Sequence, residues 1–127
     1  MQDILIVEDD EQVRRALAKA LTSEGYTVAT AENGERALND LEKSTTPPKI
    51  IIMDLMMPVM DGWRFRQRLL AEPQWSQVPV IVFSGSGCEE ASDALPGVHY
   101  IPKPVSLRTL FDSVARLISD PFADRPN

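Results

Sequence analysis

Ile50-Ile51-Ile52-Met53-Asp54 is an apolar run that stops on a carboxylate, and its reading decides the fold. A short apolar run without alternation reads as a strand buried on both faces of a parallel sheet. Ile4-Leu5-Ile6-Val7 repeats the design and stops at Glu8-Asp9-Asp10. Two more runs end near other polar groups, Val80-Ile81-Val82-Phe83 at Ser84 and Val98-His99-Tyr100-Ile101 just before Lys103. In such sheets the ligand crevice lies beyond the carboxyl ends of the strands. Acids, a hydroxyl and an amine are therefore expected to converge at one edge. That composition suits a cation and a phosphoryl group.

Helical spacing fills the intervals between the runs. Val13, Ala16, Leu17, Ala20 and Leu21 predict an inward stripe on a helix over 11–23 that ends at Gly25. Tyr26 to Thr30 alternates and reads as an edge strand. Asn33 is an expected N-cap for a helix over 34–43, with Ala37, Leu38 and Leu41 inward. Thr45 to Pro48 reads as a loop, and a helix runs from Gly62 to Ala71, closed by Pro73. Ser106 is expected to cap a last helix to Ser119, with Leu107, Leu110, Phe111, Val114, Leu117 and Ile118 inward. Five strands alternating with helices predict a doubly wound α/β domain over 1–120, followed by a short tail over 121–127. Between Gly85 and Gly97 two early glycines and a Pro-Gly end leave room for only a short or irregular helix.

Bulk composition bounds the function. A chain of 127 residues makes one domain. Its net charge of −6 argues against broad binding to a phosphate backbone, which needs clustered Lys and Arg, so no direct nucleic-acid partner is expected. Arg64, Arg66 and Arg68 are close in sequence, but alternate helix positions diverge, and they read as a solvated face. The lone Cys88 allows no internal disulfide and fits a reducing compartment. With no apolar stretch near the roughly 18 residues of a span and no leader pattern, a cytoplasmic protein without a membrane partner is expected.

Several residues take plain structural readings. Met53, Met56, Met57 and Met60 read as core and loop filler, and His99 is expected to face solvent. Trp63 is expected on the third helix's groove, and Trp75 over the loop before strand four.

Hard divalent ions such as Mg²⁺ take a few carboxylates, a carbonyl and several retained waters. Asp9 and Asp54 are candidates for direct ligation, and Glu8 for holding a water. Glu8-Asp9-Asp10 equally suits a plain helix cap, where the dipole favours carboxylates. Capping accounts for Asp10. It leaves Asp54 unexplained, because a buried carboxylate is costly unless paired or metal-bound. Ser84 alone reads as a turn hydroxyl, whereas Lys103 between Pro102 and Pro104 is one amine on a fixed backbone. Pro102 lacks a backbone donor, so its strand should be an edge or already ending.

Val7-Glu8-Asp9-Asp10, the segment from Ile51 through Asp54 and Pro58 to Met60-Asp61-Gly62, Ser84-Gly85 and Lys103-Pro104 together resemble the receiver domain of two-component response regulators. The resemblance spans about residues 3 to 118 and implies a flavodoxin-like fold with strand order 2-1-3-4-5. It implies Asp54 as phosphoacceptor, Asp9 as direct Mg²⁺ ligand, Glu8 as ligand through water, and the Met56 backbone carbonyl as a further ligand. Ser84 matches the switch hydroxyl, Lys103 the motif lysine, and Tyr100 the switch aromatic; Lys103-Pro104 resembles a cis bond. A sensor histidine kinase or phosphotransfer protein is the implied donor, and the resemblance implies a signalling switch and not an enzyme, monomeric or dimeric on phosphorylation. Met56, where the hydrolytic water passes, implies a long-lived phosphorylated form. Phosphorylation is expected to order 85–97 and reshape the surface formed with strand five and the last helix.

Departures are the short fourth crossover, Gly85 in place of a commoner alanine, and Val105 in place of a frequent Phe. Met1 just before the first strand and a fraying tail suggest a complete protein. Two other classes compete. An Asp-nucleophile phosphohydrolase of the haloacid-dehalogenase type needs an Asp where this chain has Met56, and a cap domain. A pseudo-receiver would bind a partner without phosphorylation.

Overall fold

The computed structural model describes residues 2–54, 62–84, 98–102 and 106–120, with backbone alone for Gly62, Ser84 and Pro102. In chain order these form β1 (Ile4–Val7), α1 (Glu11–Ser23), β2 (Val28–Ala31), α2 (Gly34–Lys43), β3 (Ile50–Asp54), α3 (Gly62–Ala71), β4 (Val80–Ser84), β5 (Val98–Pro102) and α4 (Leu107–Ser119). The strands make one parallel sheet ordered β2-β1-β3-β4-β5. This is the flavodoxin-like arrangement. The expected conformation of 85–97 and of the tail from 121 lies outside the described residues.

Each apolar run is buried because the pleat sends alternate side chains into two separate cores. Leu5, Val7, Ile51, Met53, Val80 and Val82 pack with Ala37, Leu38 and Leu41 of α2 and Phe65 and Leu69 of α3. Trp75 is buried in this core, with Trp63 half-buried at its margin. Ile4, Ile6, Ile50, Ile52, Ile81, Phe83 and Ile101 pack with Leu17 and Leu21 of α1 and Leu110, Val114 and Leu117 of α4. A run buried on both faces cannot alternate, which is why β1, β3 and β4 read as continuous apolar stretches. β2 lies at one edge and β5, ending at Pro102, at the other, where a residue without an N–H is tolerated.

Local chemistry sets the helix ends. Asn33 Oδ1 accepts from the Arg36 N–H at 2.8 Å, and Ser106 Oγ accepts from Thr109 at 3.4 Å. α1 closes on Gly25, whose φ of +97° lies in the left-handed region. The Gly25 N–H donates to Thr22 O at 3.0 Å and the Tyr26 N–H to Leu21 O at 3.3 Å, a Schellman pattern.

Three inward assignments change. On α1 Leu17 and Leu21 are buried and Arg14, Ala18 and Ala20 half-buried, while Val13 and Ala16 are exposed. Leu107, at the first turn of α4, is half-exposed, and Ser113 is buried in its stead. Arg66 is only 2% exposed and does not lie on a solvated face with Arg64 and Arg68. It follows Phe65 on α3, and its burial takes in the guanidinium Nη1 as well as the aliphatic stem. His99 is half-buried, because β5 places it on the α4 side, where Nε2 lies 3.2 Å from Arg116 Nη2. Among the described residues no helix is long and apolar enough to cross a membrane.

Candidate functional site

Connections leave β1 toward β2 on one side and β3 toward β4 on the other, so the order reverses between β1 and β3. A crevice opens beyond the carboxyl ends of strands at such a switch point. The last rung between these strands pairs Val7 with Met53. One step on, Glu8 follows β1 and Asp54 ends β3. The register alone therefore brings two carboxylates side by side.

Glu8, Asp9 and Asp54 each present a carboxylate oxygen, and the three lie within 4.8 Å of one another. Glu8 is 3% and Asp54 6% exposed, whereas Asp9 is open to solvent. Like charges this close repel strongly in a partly desolvated place. A hard divalent cation relieves that repulsion, and carboxylate oxygens are the donors such a cation prefers. The donor set therefore fits Mg²⁺.

Hydrogen bonds fix the acidic run. The Glu8 N–H donates to Ala31 O of β2 at 3.0 Å. Glu8 Oε1 accepts from the Asp10 N–H at 3.2 Å. Asp10 is the N-cap of α1, its Oδ1 accepting from Gln12 and Val13 at 2.9 and 3.1 Å. Capping and clustering thus coexist: Asp10 serves the helix, and Glu8 and Asp9 face the crevice with Asp54. Arg14 Nη1 donates to the Glu8 carbonyl at 2.9 Å. Arg14 was no candidate from sequence; the available signal was a cation one turn into a helix that starts on the acidic run.

Two of the other candidates fall among the described residues. Ser84 ends β4 and pairs in register with Pro102 of β5. Tyr100 is half-buried in β5, and among the described residues its buried hydroxyl has no hydrogen-bond partner. Met56 and Lys103 lie outside the described residues, as do Cys88 and the Lys103-Pro104 bond.

Known proteins share this fold and sequence pattern. Residues 4–115 match the family described as response regulator receiver domain. The KDP operon transcriptional regulatory protein KdpE of Escherichia coli is 40% identical over 115 residues, covering 87% of this chain and 48% of that protein. A probable transcriptional regulator, ycf27 of Porphyra purpurea, is 38% identical over 114 residues, covering 86% of this chain and 44% of that protein. The chain thus spans less than half the length of these relatives. Among solved structures, the receiver domain of a signal transduction histidine kinase from Syntrophus aciditrophicus superposes with a TM-score of 0.82 at 31% identity, covering 100% of this chain and 96% of that one. The receiver domain of the sensor histidine kinase PA1611 from Pseudomonas aeruginosa, with a magnesium ion in its active-site cleft, gives 0.84 at 27% identity, covering 94% and 98%. By fold, acidic edge and sequence, the chain belongs to the response regulator receiver domain family of two-component signalling.

Proposed function

We propose that this chain is a phosphoacceptor switch in which Asp54 receives a phosphoryl group in a Mg²⁺-dependent reaction. The observation that carries it is the meeting of Glu8, Asp9 and Asp54 within 4.8 Å at the switch point of the sheet. Asp9 and Asp54 would hold Mg²⁺ directly and Glu8 through water, with the Met56 carbonyl as a further ligand. When bound, the ion supplies positive charge that offsets the three carboxylates and the incoming phosphoryl oxygens.

An Asp54 oxygen attacks phosphorus in line with the leaving group. The bond from phosphorus to the donor's imidazole nitrogen breaks, and an acyl phosphate remains on Asp54. Lys103 pairs with an equatorial phosphoryl oxygen, and the Ser84 hydroxyl donates to another. Tyr100 then shifts, and the surface around β5, the 85–97 crossover and α4 changes its partner affinity. A sensor histidine kinase or phosphotransfer protein is the proposed donor. Relatives named as transcriptional regulators leave the exclusion of nucleic acid from the output, expected from net charge, without support.

Beryllofluoride, a phosphoryl mimic, tests the proposal. Wild-type protein should bind it only with Mg²⁺, and Asp54→Ala should not bind it at all. Lys103→Ala should bind it poorly, with a charge-assisted contact of about 1.5–3 kcal/mol removed. Binding by Asp54→Ala equal to wild type overturns the assignment. Failure of wild type to bind, with the fold intact, favours a phosphorylation-independent binding module.

A further inference from the structure

We propose that Arg14 is a positioning residue that aims the Asp9 carboxylate into the acidic cluster. The inference rests on the reading of that cluster as a metal site. α1 starts on the acidic run itself, with Asp10 as its N-cap. One turn on, half-buried Arg14 turns back and Nη1 donates to the Glu8 carbonyl at 2.9 Å. That carbonyl belongs to the same planar peptide as the Asp9 nitrogen. Holding the oxygen therefore sets the orientation of the Asp9 N–Cα bond, so that rotation about this one bond is what remains to place the exposed Asp9 side chain. The peptide on the other side of Glu8 is held by β2, through the Glu8 N–H and Ala31 O at 3.0 Å. Glu8 is thus clamped at both peptides, and its carboxylate is tied to the Asp10 N–H.

Arginine suits the task for a second reason. Its donor goes to a peptide oxygen and not to a carboxylate, so positive charge is brought close to the cluster without taking a ligand oxygen. Among the described residues Arg14 forms no ion pair. It lines a cavity of about 200 Å³ together with Thr30, Ala31, Glu32 and Arg36. That open space means removal of the guanidinium leaves no sealed void. An ordinary tie between α1 and β1 would instead affect the whole helix equally.

The test uses the full chain with Arg14→Met, which keeps the stem, and Arg14→Lys, which keeps one donor and the charge. Metal-free amide exchange and Mg²⁺ calorimetry are both measured. In Arg14→Met the Glu8 and Asp10 amides should exchange roughly tenfold faster, with α1 amides from Leu17 to Leu21 changed by less than about twofold. Mg²⁺ affinity should fall roughly tenfold, as for other loss of outer-shell support, and Arg14→Lys should recover most of both effects. Unchanged exchange at Glu8 and Asp10, or an equal loosening of all α1 amides, overturns the proposal. So does Mg²⁺ affinity within about twofold of wild type in Arg14→Met. If wild type itself binds no Mg²⁺ while the amides respond as expected, the clamp is supported and the metal reading falls instead.

Discussion

Asp9 and Arg66 mark opposite extremes of charge placement in this chain. Asp9 is an exposed acid beside two buried ones, Glu8 at 3% and Asp54 at 6% exposure. Asp9→Ala should therefore abolish measurable Mg²⁺ binding in calorimetry while leaving metal-free thermal stability unchanged or slightly higher, because one like charge is removed. Unchanged Mg²⁺ affinity would reject Asp9 as a ligand. Arg66, 2% exposed on α3, should behave in the opposite way. Arg66→Ala should cost about 2–4 kcal/mol in urea unfolding, through lost packing and the disruption of a buried charge's surroundings. A cost below about 0.5 kcal/mol would place it with ordinary surface residues. The acids were legible in the sequence because a carboxylate ending a buried run is expensive without a purpose. Arg14 and Arg66 were not, because hydrophobic spacing counts a cation as outward even where its long side chain packs inward.

Helix boundaries were legible wherever a cap supplied a local reason for them. Asn33, Ser106 and Gly25 stand at the ends that sequence assigned to α2, α4 and α1. The misassigned inward residues, Val13, Ala16 and Leu107, all fall where spacing permits two stripes and the partner surface decides. β2 begins later than the alternation suggested, at Val28 instead of Tyr26, because the Tyr26 N–H is spent on closing α1. Gly25 gives a clean element-scale test. A Cβ built there meets nothing within 4 Å, so the cost of Gly25→Ala comes from the +97° φ alone. Chemical denaturation should show a loss of about 1 kcal/mol, with Gly25→Asn losing less, since Asn tolerates that region better. Equal stability of Gly25→Ala and wild type would mean that the turn relaxes without cost.

Across the sheet, the carboxyl edge carries the acidic cluster and the amino edge carries a set of hydrogen bonds around Asp3. At the amino edge Asp3 joins three strands. The Thr27 backbone N–H donates to Asp3 Oδ2 at 3.2 Å, and the Asp3 N–H donates to Thr27 Oγ1 at 2.8 Å. The Thr27 backbone hydrogen bond holds the Asp3 carboxyl below its usual range against the cost of burial, and the Lys49 ammonium 3.5 Å away adds to the lowering. A depressed carboxylate contributes stability above its unfolded value, near 4, and loses it as pH falls through the folded value. Stability of wild type should therefore fall more steeply than that of Asp3→Asn below about pH 4, measured as urea midpoints. Parallel curves would contradict this. The strand order follows from the family resemblance, while the doubly wound class was legible from the apolar runs themselves. The central claim is that the acidic edge makes Asp54 a phosphoacceptor. Its most direct test is incubation with acetyl phosphate, with and without Mg²⁺, followed by mass mapping of the modified residue. One phosphoryl group on Asp54, formed only with Mg²⁺, is the predicted result; modification elsewhere, or of Asp54 equally without Mg²⁺, would contradict it.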